Sequence, residues 1–347
     1  MRSSLVPSLR RKTTGSANGE HNESLTPTGA PLVRGRVVRQ GWDIGGRLID
    51  LASRKVSLFV RTVGDGYPML LMHGGLGVDH TTLLPMARAS EGFRLIFYDH
   101  RCNGRSKGAA LPSLTWENLT QDAEALGEAL GIRKWAVLGH SFGGFIAQEY
   151  ALRFPDRITH LILMDTGADC TLVREGVPAV LKNRGYTPSE VEAARQLFTG
   201  ELPPGKLPVT MIKLRKAYTS DQSLRMQLRV FANALRIRSR ADSCTYGFKT
   251  LLKNWSTLDR LGDIKVPVLL VAGTEDFQFP PEHQKRMKAR LPNAKYVPIE
   301  GCSHNPLVEA PQKTIEAIRW FMRCEMRLTS RYKPTLGRPP GSRVGET

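Results

Sequence analysis

Short, nearly all-apolar runs alternate along the chain with segments whose apolar positions recur every three or four residues. The first pattern predicts strands and the second helices. Arg47–Ala52 and Val56–Val63 read as a strand pair joined by a turn at Ser53–Lys55. Pro68–Met72 (PMLLM) and Arg94–Tyr98 (RLIFY) have almost no polar position, as expected of parallel strands covered on both faces. Trp135–Leu138, Ile158–Met164, Val266–Val271 and Tyr296–Ile299 complete a predicted set of eight strands. Between them, Thr115 is placed to cap a helix carrying Leu119, Ala123, Leu126 and Leu130 on one face, ended by Gly131. Ser141–Phe154 reads as a helix stopped before Pro155. Pro281–Leu291 and Pro311–Met326 open on proline, which suits a first helical turn.

The strand–helix rhythm breaks over residues 167–263, where no strand is predicted. Two helices are expected there: Ser189–Phe198 capped by Ser189, and Asp221–Arg238 with Leu224, Leu228, Phe231 and Leu235 on one stripe. The chain therefore divides into an α/β core, residues 41–166 and 264–326, and a helical lid, residues 167–263. Residues 1–40 read as a disordered basic extension and residues 327–347 as a flexible basic tail. No run approaches the ~18 apolar residues of a membrane-spanning helix. The first thirty residues also lack the apolar core of a secretory signal. Five scattered cysteines form no CxxC and no zinc spacing, which suits a reducing compartment. A cytoplasmic location is the expectation.

The net charge of +18 is unevenly placed. Residues 1–40 and 319–347 each carry seven basic and two acidic residues, and residues 171–263 carry sixteen basic and eight acidic. Everything else is neutral. A basic surface attracts nucleic acid or anionic membrane. No nucleic-acid motif accompanies it, so no specific nucleic-acid partner is expected.

Candidate chemistry centres on Gly139-His140-Ser141-Phe142-Gly143, a G-x-S-x-G that directly follows a strand and opens a helix. That context defines a nucleophile elbow. Gly139 and Gly143 give room for the sharp turn, with His140 as the supporting neighbour. The helix start behind Ser141 favours developing negative charge, and the Phe142 N–H can point at an oxyanion. A serine hydroxyl needs a base, and the base needs an orienting acid, in the chain order Ser, acid, His. His304, in the loop after the last strand, is the candidate base. Asp276, after the strand that follows the lid, is the first candidate acid, with Glu275 and Asp165 as competitors. A second oxyanion donor is expected from His73-Gly74-Gly75-Leu76-Gly77: Gly75 first, Leu76 second, Gly74 supporting and His73 structural. The other histidines share no metal-like spacing, and no P-loop is present.

Five segments in order, HGGLG (73–77), DHRCNGRS (99–106), GHSFGG (139–144), GTEDFQFP (273–280) and GCSHNP (301–306), resemble the α/β-hydrolase superfamily. They look most like its branch of proline iminopeptidases and esterase-like relatives. The resemblance implies an eight-stranded, mostly parallel sheet flanked by helices. It further implies a helical cap inserted after the sixth strand, with no cofactor and no metal. Cys102 stands where that branch usually has glycine, and HGGLG replaces the HGGPG of proline iminopeptidases. Those peptidases bind a charged amino terminus through cap acids, whereas this cap is basic. The expected function is hydrolysis of a small carboxylic ester or lactone, anionic by extension, through an acyl-enzyme. A proline-releasing aminopeptidase is the alternative, and a non-catalytic binding protein on the same fold is the third reading.

Overall fold

A computed structural model describes the backbone of residues 45–331 and the side chains of residues 45–326. The basic extension expected at residues 1–40 and most of the expected tail lie outside the described residues. The eight strands are β1 (Arg47–Leu51), β2 (Val56–Val63), β3 (Tyr67–Met72), β4 (Phe93–Tyr98), β5 (Trp135–His140), β6 (Ile158–Met164), β7 (Val268–Gly273) and β8 (Ala294–Ile299). They form one sheet in the order β1-β2-β4-β3-β5-β6-β7-β8. The β1–β2 and β2–β4 pairs are antiparallel, and every pair from β4–β3 onward is parallel.

The all-apolar strands have a direct cause. Leu70, Val137, Leu161 and Leu270 point into one core, while Leu71, Leu138, Ile162 and Leu269, one residue along, point into another on the opposite face. With both faces buried, alternation has no polar half to show. Helices α1 (Trp116–Ala129) and α2 (Phe142–Arg153) contribute Leu126 and Ile146 to the first core. The second core is closed by a 3-10 segment, His80–Ala89, and by the C-terminal helix.

Five helices are inserted between β6 and β7: α3 (Cys170–Asn183), α4 (Pro188–Thr199), α5 (Leu207–Leu214), α6 (Leu224–Ala234) and α7 (Ala241–Lys249). Then come α8 (Pro281–Arg290), a short α9 (Pro306–Glu309) and α10 (Pro311–Arg331). The eight-stranded, mostly parallel sheet with a helical insertion after the sixth strand is thus the architecture of the protein.

Two predicted elements differ in detail. The cap of α4 is Thr187 and not Ser189: Thr187 Oγ1 accepts from the Glu190 N–H, and the Glu190 carboxylate accepts from the Thr187 N–H. This reciprocal box, with Pro188 in the first turn, starts the helix earlier. The helix expected over Asp221–Arg238 is shorter, because Ser223 caps it and Leu235 closes it. Helices α3, α5 and α7 were not predicted. Pro178 inside α3 and the brevity of α5 and α7 masked their periodicity. At the C-terminus, α10 continues five residues into the segment read as tail.

Candidate active site

Three strand ends bring the candidate residues together. Ser141 follows β5 and opens α2, Asp276 follows β7, and His304 follows β8. All three therefore stand at the carboxyl edge of the sheet, where open α/β sheets place their sites. Ser141 has φ 51° and ψ −120°, a left-handed conformation that costs a non-glycine residue ~1–3 kcal/mol. The neighbours hold it there by close approach. A Cβ on Gly139 would lie 2.4 Å from the Gly143 carbonyl oxygen, and one on Gly143 would lie 2.0 Å from that of Met72. No side chain fits at either position. Thr166 Oγ1 donates to the Ser141 carbonyl at 2.8 Å, and Gln284 Nε2 donates to the Thr166 carbonyl.

The hydrogen-bonded relay is continuous. Asp276 Oδ2 is 2.9 Å from His304 Nδ1, and His304 Nε2 is 3.0 Å from Ser141 Oγ. With Nδ1–H donated to the carboxylate, Nε2 is left as the acceptor of the serine proton. Burial pushes the Asp276 carboxyl upward. The His304 charge, its hydrogen bond and the N–H groups of Gln278 and Phe279 outweigh this and hold it below the ordinary value. Asp276 is therefore an anion beside the imidazole.

The competing acids are placed differently. Glu275 is half exposed, its side chain within 3.9 Å of Arg184. Asp165 is buried and accepts from the Gly273 N–H at 2.8 Å. Burial and the adjacent Asp276 charge drive its carboxyl well above the usual range, which favours its protonated form.

The glycine loop after β3 lies against the serine. A Cβ on Gly74 would meet His140 Nδ1 at 2.6 Å and Ser141 Cβ at 2.9 Å. Gly75 has φ 72° and takes the Val78 N–H on its carbonyl. Phe142 stands in the first turn of α2, among the N–H groups that have no partner within a helix. His73 braces this loop. It stacks on His100 with ring centroids 4.0 Å apart and accepts the His100 N–H on Nε2. Its Nδ1–H then reaches the Gly74 carbonyl at 2.9 Å.

His140 Nε2 lies 3.1 Å from the His304 carbonyl and donates to it, anchoring the loop that carries His304. Burial, reinforced by the His304 charge, pulls the His140 imidazole down to about 3. It is a neutral brace rather than a proton carrier.

Cys102 explains itself by its backbone. Its φ of 59° lies in the left-handed region, where glycine is the easier residue. Its side chain is buried, with Sγ 3.4 Å from the Ala110 carbonyl.

Spacing also hid one cluster. Asp79, His80 and Asp99 converge with ligand atoms within 4.8 Å of one another. Arg105 supplies the balancing charge, pairing with Asp79 and standing 4.0 Å from Asp99. Asp99 also accepts from the His80 and Arg105 N–H groups. The cluster is thereby a loop-holding ion network.

Sequence reasoning missed the insertion's contribution. Residues 217–221 lie over His304: Ser303 Oγ donates to the Ala217 carbonyl, Asn305 Nδ2 to the Tyr218 carbonyl, and the Tyr218 ring sits 5.8 Å from the imidazole. Ser141 is 8% exposed and His304 3%. No local sequence signal reports such a contact, because it joins segments some eighty residues apart.

The sheet order, the inserted helices and a strained serine between strand and helix define an α/β hydrolase, and the chain belongs to that family. Residues 67–311 match the family described as alpha/beta hydrolase fold. Among curated proteins, the chain is 26% identical to a proline iminopeptidase of Lactobacillus helveticus over 305 residues, covering 84% of this chain and 98% of that protein. Among solved structures, it is similar to the proline iminopeptidase of Mycobacterium smegmatis, with TM-score 0.65, 22% identity and coverage of 82% of this chain and 100% of that one. It is also similar to an enol-lactonase of Burkholderia xenovorans, with TM-score 0.63, 22% identity and coverage of 80% and 100%. No helix among the described residues is long and apolar enough to cross a membrane.

Proposed function

We propose that the protein hydrolyses a small carboxylic ester or lactone through an acyl-enzyme. The observation that carries this reading is the Ser141–His304–Asp276 relay at 3.0 and 2.9 Å. On this mechanism His304 Nε2 takes the Ser141 proton as Oγ attacks the carbonyl carbon. The carbonyl oxygen becomes an oxyanion facing the N–H groups of Phe142 and Gly75, and Asp276 stabilises the imidazolium. The imidazolium returns its proton to the leaving alkoxide as the tetrahedral intermediate collapses to the acyl-serine. A water, deprotonated by His304, then attacks the acyl carbon and releases the acid and free Ser141.

A proline-releasing aminopeptidase is the second reading, favoured by the name of the Lactobacillus relative that the chain matches over almost its whole length. Such a substrate brings an ammonium that needs a carboxylate. Of the eight acids in residues 171–263, seven are exposed, and the eighth, Glu190, is engaged in capping α4. Removing an ammonium from water without a partner is costly. The distribution of these acids therefore supports the ester reading.

The test compares aryl esters, lactones and prolyl arylamides on wild type and Ser141→Ala, with a fluorophosphonate label. Ester or lactone turnover should dominate, with a loss of at least ~10⁴-fold in kcat for the alanine variant. Faster turnover of prolyl arylamides would favour the peptidase. A wild type that neither labels nor turns over would leave a binding protein.

A further inference from the structure

The inserted helices expose what a globular protein ordinarily buries. On α6, Leu224, Leu228, Phe231 and Leu235 recur on one stripe and are between 59% and 76% exposed. The opposite side, carrying Met226, is the one that packs inward. The helix is thus amphipathic with its apolar face outward. On α5, Val209 and Ile212 are each more than half exposed. Of the ten large apolar side chains exposed among the described residues, seven fall between residues 209 and 235.

The charge of the same segment is as one-sided. Residues 206–240 hold nine Lys or Arg and one acid, Asp221. That surplus of eight equals the surplus of the whole of residues 171–263, so the rest of the insertion is neutral. At 100° per residue, Arg225 and Arg229 flank the apolar stripe on one side. Such arginines can lay their stems along acyl chains and keep their heads among phosphates.

We propose that α5 and α6 form a docking face for an anionic phospholipid bilayer. An outward apolar stripe bordered by arginines is what an interfacial helix requires, with the leucines and Phe231 entering the headgroup boundary. A second copy of the chain fits poorly. An isologous contact would set the same positive face against itself.

Docking here would bear on the site, because α6 is tied at both ends to its loops. The Ser220 and Asp221 N–H groups donate to the Glu309 carboxylate, which also accepts the Ser303 N–H beside His304. At the other end the Arg238 N–H reaches Asp79, and the Arg240 N–H reaches the Gly77 carbonyl in the glycine loop. Seating α6 on a bilayer would couple the lipid surface to both of these loops.

The experiment is vesicle flotation of the full chain, with phosphatidylcholine alone and with about a third phosphatidylglycerol. Ser141→Ala serves as a second background, so the outcome is independent of the hydrolytic reading. Binding should be at least ~10-fold tighter on the anionic vesicles and should weaken with salt. The double variant Leu228→Ser, Phe231→Ser should lose ~10-fold or more with an unchanged melting temperature, while Leu48→Ser on β1 should lose nothing. Absence of binding would overturn the proposal. So would undiminished binding of the double variant, which would assign the affinity to the basic termini. A concentration-dependent dimer lost in the double variant would assign the face to a second copy.

Discussion

At Ser141 the backbone carries a strain that only its surroundings sustain, and the identities of those surroundings follow from the strain. Gly139 and Gly143 are glycines because each lies against a backbone carbonyl at a distance no Cβ tolerates. The candidate acids separate at the same scale. Asp276 is the carboxylate in contact with His304 and is held ionised. Asp165 is buried, accepts the Gly273 N–H and is pushed toward its protonated form. On the proposed mechanism Asp276→Asn should therefore lower kcat/KM by about 10⁴-fold through loss of imidazolium stabilisation and of the correct tautomer. Asp165→Asn, which puts a neutral amide where a carboxyl is already pushed toward its protonated form, should stay within about tenfold. Ester kinetics on the two variants decide the matter, and a larger loss for Asp165→Asn would reverse the assignment.

At the scale of elements, the strands were legible because burial on both faces leaves one signature, a short unbroken apolar run. The inserted helices were less so. The Thr187-Pro188-Ser189-Glu190 box was present in the sequence, yet Ser189 also has a capping side chain and lies nearer the apolar positions. Thr187→Ala should cost about 1 kcal/mol in urea unfolding, whereas Ser189→Ala should stay within about 0.5 kcal/mol. Equal losses would place the cap at Ser189 after all. In α6 the periodicity marks one apolar face, but a stripe at helical spacing names a face without saying what covers it. In the structure that face is open.

For the whole molecule, buried histidines link folding to pH. His73, His100 and His140 are all buried, and burial is the main cause that lowers each of their pKa values. In the unfolded chain each titrates near 6.5. Below that value the unfolded state takes up protons that the folded state refuses, so stability rises with pH in this window. The stabilisation is complete above about pH 6.5 and is lost progressively as pH falls below it, for His140 toward about 3. At pH 5, His140 alone should cost about 2 kcal/mol. Buried Asp165, whose carboxyl is raised, works in the opposite sense, so the clean test is Asp165→Asn, whose melting temperature should drop from about pH 7 to about pH 5. Asp276, whose value is depressed, adds its own loss only below about pH 4. A melting temperature flat across that first interval would contradict the burial of neutral imidazoles.

The sequence by itself determined the sheet, the insertion after the sixth strand, and the candidate serine, acid and histidine at three strand ends. These are local facts: apolar periodicity reports burial, and an elbow needs small residues at fixed offsets. The tertiary structure alone decided which carboxylate meets the imidazole, that residues 217–221 cover His304, and that the apolar stripe of α6 faces outward. Each of those depends on segments distant in the chain meeting in space. A side chain's charge state, cover and exposure are set by what it meets, and spacing along one strand or helix carries no record of the partner.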